Sequence, residues 1–318
     1  MRTFDPSWTG AAVIQGLTKL PQLQDLQLIL NCDEESSSVG QIELDRLSGL
    51  KKFSISGNHV HRHRDVISGL AGLIAKSPQL VHLEIKQGHL GIFPETPTLH
   101  DVFSEVPLDH PLQLTHLALH RTGICVDSST LPHLRSLISL DLRNLPTPPD
   151  QIDADPTSER LERVSSTSDI CAILKQEDIC LKHVVVSDVG VFDYLCSYSG
   201  LETLDLCSLT FNTVEESNTS ARTFYKSVLP QLVHSLQVLK IQPMQEGRWC
   251  FNPEDVSQSI VLNQCNKLRS LTVSLTSTSV VLSANFLGRV VHQYKGNLDY
   301  AVCPGDLTLQ SPMSQGLL

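Results

Sequence analysis

"LKKFSISGN", residues 50–58, places Leu50, Phe53 and Ile55 ahead of Asn58 at a spacing of three and then two. That spacing suits an apolar residue leading into a short strand whose alternate side chains face a core. The frame returns upstream in "LQDLQLILN", with Leu23, Leu26, Leu28 and Asn31. Downstream it recurs as Leu80, Leu83, Ile85, as Leu114, Leu117, Leu119 and as Leu137, Leu140, Leu142. The second half repeats it as Leu181, Val184, Val186, then Leu201, Leu204, Leu206, then Leu236, Leu239, Ile241, and last Leu268, Leu271, Val273. Seven segments meet the strict form Leu-x-x-Leu-x-aliphatic. Chance should supply roughly two in a Leu-rich chain of this length.

The intervening segments carry helical patterns. "DVISGLAGLIAKSPQL" puts Val66, Ile67, Leu70 and Ile74 on one face. "NPEDVSQSI" offers Asn252 as N-cap with Pro253 at the first helical position, and "SANFLGRVVHQY" offers Ser283 as cap. Apolar residues also recur two places after the Asn slot, at Val60, Leu90, Ile124, Val191 and Phe211. One strand and one returning helix per repeat describes a solenoid. The Asn slot is kept only at Asn31 and Asn58 and is taken later by Gly88, Thr122 and Val189, so the array is irregular.

A net charge of −10 disfavours a general phosphate-backbone binder and leads us to expect no nucleic-acid partner. No apolar run is long enough to cross a bilayer, and the start lacks the apolar core of a signal peptide, so a cytoplasmic or nuclear protein is expected. The nine cysteines include no Cys-x-x-Cys pair and read mostly as buried thiols. Phosphate loops, nucleophile elbows, metalloprotease helices and dinucleotide fingerprints are all missing, so neither catalysis nor a cofactor is expected. "DQIDAD" has the carboxylates of a calcium loop without its glycine or its closing glutamate.

From about Arg2 to about Cys303 the repeats resemble leucine-rich-repeat proteins, specifically the irregular kind found behind an F-box in fungal substrate receptors. The resemblance implies an α/β fold, a curved leucine-rich-repeat solenoid with a parallel sheet on the concave face and helices on the convex face. It implies about 9–11 irregular repeats over residues 1–303 with a tail at 304–318. It also implies a non-catalytic, monomeric protein-binding module. No Leu-Pro-led F-box segment precedes the first repeat, so this would be a substrate-recognition region whose adaptor-binding part is encoded upstream or lost. A stand-alone scaffold is the alternative, with a GTPase activator of the leucine-rich-repeat class behind it.

Strand residues that do not point inward should form the partner face. The middle repeats align His82 beside His116, Glu84 near Asp141, and Lys86, His120 and Arg143 as a basic rail, with His183 and Asp205 further along. Such a face suits an acidic or phosphorylated protein segment. Cys32, His59 and His89 share one slot of successive repeats, with His61 or His63 as a fourth metal-ligand type; the flanking Arg62 and Arg64 favour a solvated loop instead. A Pro-, Ser- and acid-rich insertion is expected at 146–168, and a second loop near "TVEESNTSART".

Overall fold

The alternating aliphatic residues fold as short parallel strands. The structure, a computed structural model, describes residues 6–30, 42–57, 64–87, 98–122, 126–145, 166–244, 246–252, 255–275 and 297–302. Its contacts divide the chain into two units, Met1–Leu181 and Lys182–Leu318. The first holds β1 (Asp25–Leu30), β2 (Lys52–Gly57), β3 (His82–Gln87), β4 (His116–His120) and β5 (Ser139–Arg143). They pair in sequence order, all parallel, with Leu26, Phe53, Leu83, Leu117 and Leu140 in one row and Leu28, Ile55, Ile85, Leu119 and Leu142 in the next. The second holds β6 (His183–Val186), β7 (Thr203–Leu209), β8 (Val238–Pro243), β9 (Ser270–Leu275) and β10 (Asn297–Val302), again parallel and in order.

One backbone device recurs at the start of these strands. The carbonyl just before a strand accepts the two N–H groups that lead into the next. Gln24 O receives Lys51 and Lys52, Lys51 O receives Val81 and His82, Val81 O receives Thr115 and His116, and Thr115 O receives Ile138 and Ser139. In the second unit Lys182, Glu202 and Gln237 do the same for the strands that follow them. Identical backbone bonding at successive strand starts is what a true structural repeat requires.

The apolar rows are buried as the spacing predicts. Phe53, Ile55, Leu80, Leu83 and Leu119 are completely shielded, as are Leu201, Leu204, Leu206, Leu239 and Leu271. The connecting segments close over that side of each sheet. In the first unit these are α1 (Pro6–Leu17), α2 (Arg64–Ala75), α3 (Leu99–Phe103) and α4 (Thr167–Gln176). Helix α2 buries Val66, Leu70, Leu73 and Ile74, the stripe read from its periodicity with Leu73 in place of Ile67. In the second unit they are α5 (Phe192–Leu195), α6 (Val214–Thr223), α7 (Leu229–Leu232) and α8 (Val256–Gln264).

Three local expectations are corrected. "TVEESNTSART" is not a loop but α6, started by Thr213, whose hydroxyl accepts the Glu216 N–H, with Glu215 and Glu216 in the positive first turn. Its apolar periodicity is faint because Ala221 is its only buried residue. The insertion expected to run to residue 168 ends sooner, because Ser166 and Asp169 form a capping box that starts α4 at Thr167. Helix α8 is capped by Asp255 rather than Asn252. The insertion at 146–165, the helix expected after Ser283 and the tail at 304–318 lie outside the described residues.

His133, on a 3₁₀ turn at Leu131–Leu134, ties the acid stability of the first unit to one backbone bond. It is fully buried, edge-on to Phe103, and its Nδ1 accepts the Leu112 N–H at 3.1 Å. Burial lowers its affinity for a proton, and a protonated Nδ1 would face a donor with a donor. The stability tied to neutral His133 is therefore fully present above the unfolded imidazole pKa of about 6.5 and is lost as pH falls below it. Thermal unfolding from about pH 8 to about pH 5 should show a drop in midpoint that is shallower in His133→Phe. An equal drop in both proteins would assign the acid lability elsewhere.

Candidate partner-binding face

Alternation puts every second strand residue on the face opposite the core, and the parallel register gathers these residues into rows. In the first unit the rows are Asp25, Lys52, His82, His116, Ser139, then Gln27, Ser54, Glu84, Ala118, Asp141, then Ile29, Ser56, Lys86, His120, Arg143. The structure thus brings together seven of the nine residues singled out in the sequence: His82, Glu84, Lys86, His116, His120, Asp141 and Arg143. His183 and Asp205 belong to the second unit, where His183 Nδ1 lies 3.0 Å from Thr203 Oγ1 and Lys240 Nζ lies 3.6 Å from Asp205 Oδ2.

The rail of Lys86, His120 and Arg143 is in register, but it is not a strip of unanswered positive charge. Glu84 sits two residues before Lys86 on β3, and its Oε1 meets the Lys86 ammonium at 2.5 Å. Ser54, across the strand gap, donates its hydroxyl to Glu84 Oε2. Burial alone would raise the Glu84 carboxyl, but hydrogen bonds from Lys86 and Ser54 and the charges of Lys86 and His120 bring it below its ordinary value. Asp141 plays the same part on β5. Its two oxygens take the Arg143 fork at 2.9 and 2.8 Å, and Oδ1 lies 3.1 Å from His120 Nε2. The His120 contact has ion-pair distance without the alignment of a hydrogen bond, so its strength depends on the charge of the ring.

The first row is held more loosely. Lys52 and Asp25 pair at 3.8 Å with both side chains more than half exposed. The imidazoles of His82 and His116 stack with centroids 5.5 Å apart, and Thr115 Oγ1 fixes His116 Nδ1 at 2.8 Å. The face thus offers charges already set against one another.

A second cluster superficially matches a Ser–His–Asp triad. His100, Asp127 and Ser129 lie together, but Asp127 Oδ2 and Ser129 Oγ both approach the same imidazole nitrogen, Nδ1, at 2.7 and 3.2 Å. A triad needs the carboxylate on one ring nitrogen and the nucleophile on the other. Here Asp127 instead accepts the Ser129 hydroxyl and the Thr130 and Ser129 N–H groups, and these bonds, outweighing burial, hold its carboxyl far below the usual range. The cluster is a turn clasp.

The metal-ligand set of Cys32, His59, His89 and His61 or His63 lies outside the described residues. Among the described residues no three His, Cys, Asp or Glu side chains are grouped to hold a metal ion, and no helix is long and apolar enough to cross a membrane. The described cysteines are mixed rather than mostly buried thiols: Cys171 and Cys265 are buried, Cys207 is half-buried, Cys180 and Cys196 are exposed, and Cys250 is disulfide-bonded. Burial pushes the Cys265 thiol up to about 12, which makes it a poor nucleophile. Comparison with known protein families and with curated proteins finds no match to this chain.

Proposed function

We propose that this chain is a non-catalytic protein-interaction module of the irregular leucine-rich-repeat class, reading its partner with the helix-free sheet face of the first unit. The observation that carries the proposal is the set of three in-register rows, in which Glu84 and Asp141 hold Lys86, His120 and Arg143 in fixed positions on an open face. Side chains ordered in advance lose less freedom on binding, which is how a polar face gains affinity. The recurring strand-start hydrogen bonds support the repeat class. On this reading the solenoid is curved, the rows line its concave side, and the partner is an acidic or phosphorylated protein segment. The irregular repeats further suggest the substrate-recognition region of an F-box-type ubiquitin-ligase receptor, acting in the cytoplasm or nucleus as a monomer.

The test begins with a partner identified by crosslinking and then compares the chain with the variant Lys86→Ala, His120→Ala, Arg143→Ala. Binding should fall roughly ten-fold or more, about 1.4 kcal/mol. Affinity should also fall with added salt. Unchanged affinity in a folded triple variant would overturn the assignment of the face. Capture of the cullin-ligase adaptor by the full-length protein separates the receptor from the stand-alone scaffold.

A further inference from the structure

The second unit holds a cavity of about 130 Å³ whose lining includes Arg222, Lys226 and Arg248. Three cationic residues line it in a chain whose net charge is −10. Arg222 and Lys226 are four residues apart on one continuous helical run, an arrangement in which like charges repel by a few tenths of a kcal/mol. Glu215 answers Arg222 at 3.7 Å, and Asp255, the one carboxylate among the described lining residues, reaches Arg248 only at 4.0 Å. Lys226 has no ion-pair partner among the described residues. A charge arrangement that breaks the local rule at a concavity marks a place where a ligand supplies the missing counter-charge.

The walls are built rather than incidental. Residues Phe224–Val228 form a π-helical turn between α6 and α7. Its local cause is Pro230, which has no N–H for the carbonyl four residues back and whose ring would strike that carbonyl. The wider turn puts Tyr225 and Lys226 on the cavity together with Arg222. Burial keeps the Tyr225 phenol protonated, with the Asp255 charge adding to the effect, and the hydroxyl donates to the Trp249 carbonyl. Arg248 is clasped from two sides: its N–H donates to Asn218 Oδ1, and its carbonyl accepts Nε2 of Gln258, which is only 2 % exposed. Ser257, in the first turn of α8, adds a hydroxyl to the lining.

We infer that this cavity binds a phosphate monoester, with Arg222 and Arg248 supplying guanidinium forks and Lys226 a point charge. Drug-sized ligands occupy about 300–1,000 Å³, so the cavity takes one phosphoryl group and excludes a nucleotide. Arginine forks match the paired oxygens of a phosphate, and the ammonium adds charge without directional demand. The Asp255 carboxylate turns toward Ser257, whose N–H and hydroxyl it already accepts, when the ligand takes Arg248. The site lies wholly in the second unit, so the inference stands or falls apart from the sheet-face reading.

The probes are inorganic phosphate, N-acetyl-phosphoserine amide and the unphosphorylated serine amide, titrated into the full chain at constant ionic strength and followed by calorimetry and phosphorus NMR. Saturable binding is expected, with half-saturation on the order of 1 mM. It should weaken at least roughly ten-fold in Arg222→Gln/Lys226→Gln and in Arg248→Gln, and persist in Lys226→Arg and in the distant control Lys175→Gln. Tighter binding of the phosphoserine amide than of inorganic phosphate assigns the site to phosphorylated protein segments. Equal binding assigns it to free phosphate. No saturable binding by the wild-type chain, or undiminished binding by the folded double variant, overturns the inference.

Discussion

Replacing Asp141 by Asn will lower the urea midpoint of the first unit by the equivalent of about 2 kcal/mol. Asp141 is only 17 % exposed at its side chain, and it serves two partners at once: both Arg143 nitrogens and the His120 ring. Asparagine keeps the shape but removes the charge, leaving one carbonyl oxygen where two carboxylate oxygens took the fork. Hydrogen bonds to charged groups contribute roughly 1.5–3 kcal/mol, against about 1 for neutral ones. Arg143 is about 39 % exposed and can turn toward water, which keeps the loss below that of a fully buried pair. Lys52→Ala is the internal comparison. Its pair with Asp25 spans 3.8 Å between well-exposed side chains, so the change should cost less than about 0.5 kcal/mol. If the two variants matched, the Asp141 network would be no stronger than a surface ion pair.

The same variant separates stability from recognition. Asp141→Asn keeps one neutral oxygen for the Arg143 fork while removing the anion between Arg143 and His120, and for an acidic partner the relief of charge repulsion outweighs the lost ordering, so binding should tighten even though the fold is weaker. The triple variant that removes Lys86, His120 and Arg143 should do the reverse to binding. Opposite signs at neighbouring positions would be hard to produce by general loosening of the sheet.

The strand register was legible because burial alternation is a local constraint that each repeat restates. Four strict matches to one frame, with the looser Leu50, Phe53, Ile55 segment between the first two, set which side chains of the first unit face inward, and its rows follow from them. The pairing of Glu84 with Lys86 and of Asp141 with Arg143 was also within reach, since residues two apart on a strand share a face. Placing Glu84 and Asp141 in one column and Lys86, His120 and Arg143 in another left unread that each acid pairs with the cation on its own strand. Helix α6 was hidden for the opposite reason: nearly all of it is polar, so its periodicity carried no burial signal and only Thr213 and the following acids marked its start. The basic cavity could not be read from sequence spacing, because Arg248 joins Arg222 and Lys226 only through the packing of a loop held by Asn218 and Gln258.

The repeat frame also hides one position where a single added carbon has a large effect. Gly57 ends β2 directly opposite Leu30 of β1, and a Cβ there would lie 2.3 Å from the Leu30 carbonyl oxygen and 3.0 Å from its Cβ. The obstacle is backbone, so no rotamer change relieves it. Gly57→Ala should destabilise the first unit by about 2–3 kcal/mol, the range for forcing an extra methyl into a packed site. The strain has one direction of escape, because among the described residues of this unit β1 pairs only with β2 and its C-terminal end can peel away. Hydrogen exchange should therefore show Ile29 and Leu30 losing protection while β3 and β4 keep theirs. Gly16, within α1, supplies the contrast: a Cβ there meets nothing within 4 Å, so Gly16→Ala should stabilise by about 0.5–1 kcal/mol through helix propensity alone. Two glycine-to-alanine changes of opposite sign would show that the close approach of β2 to β1, rather than backbone freedom, is what Gly57 serves.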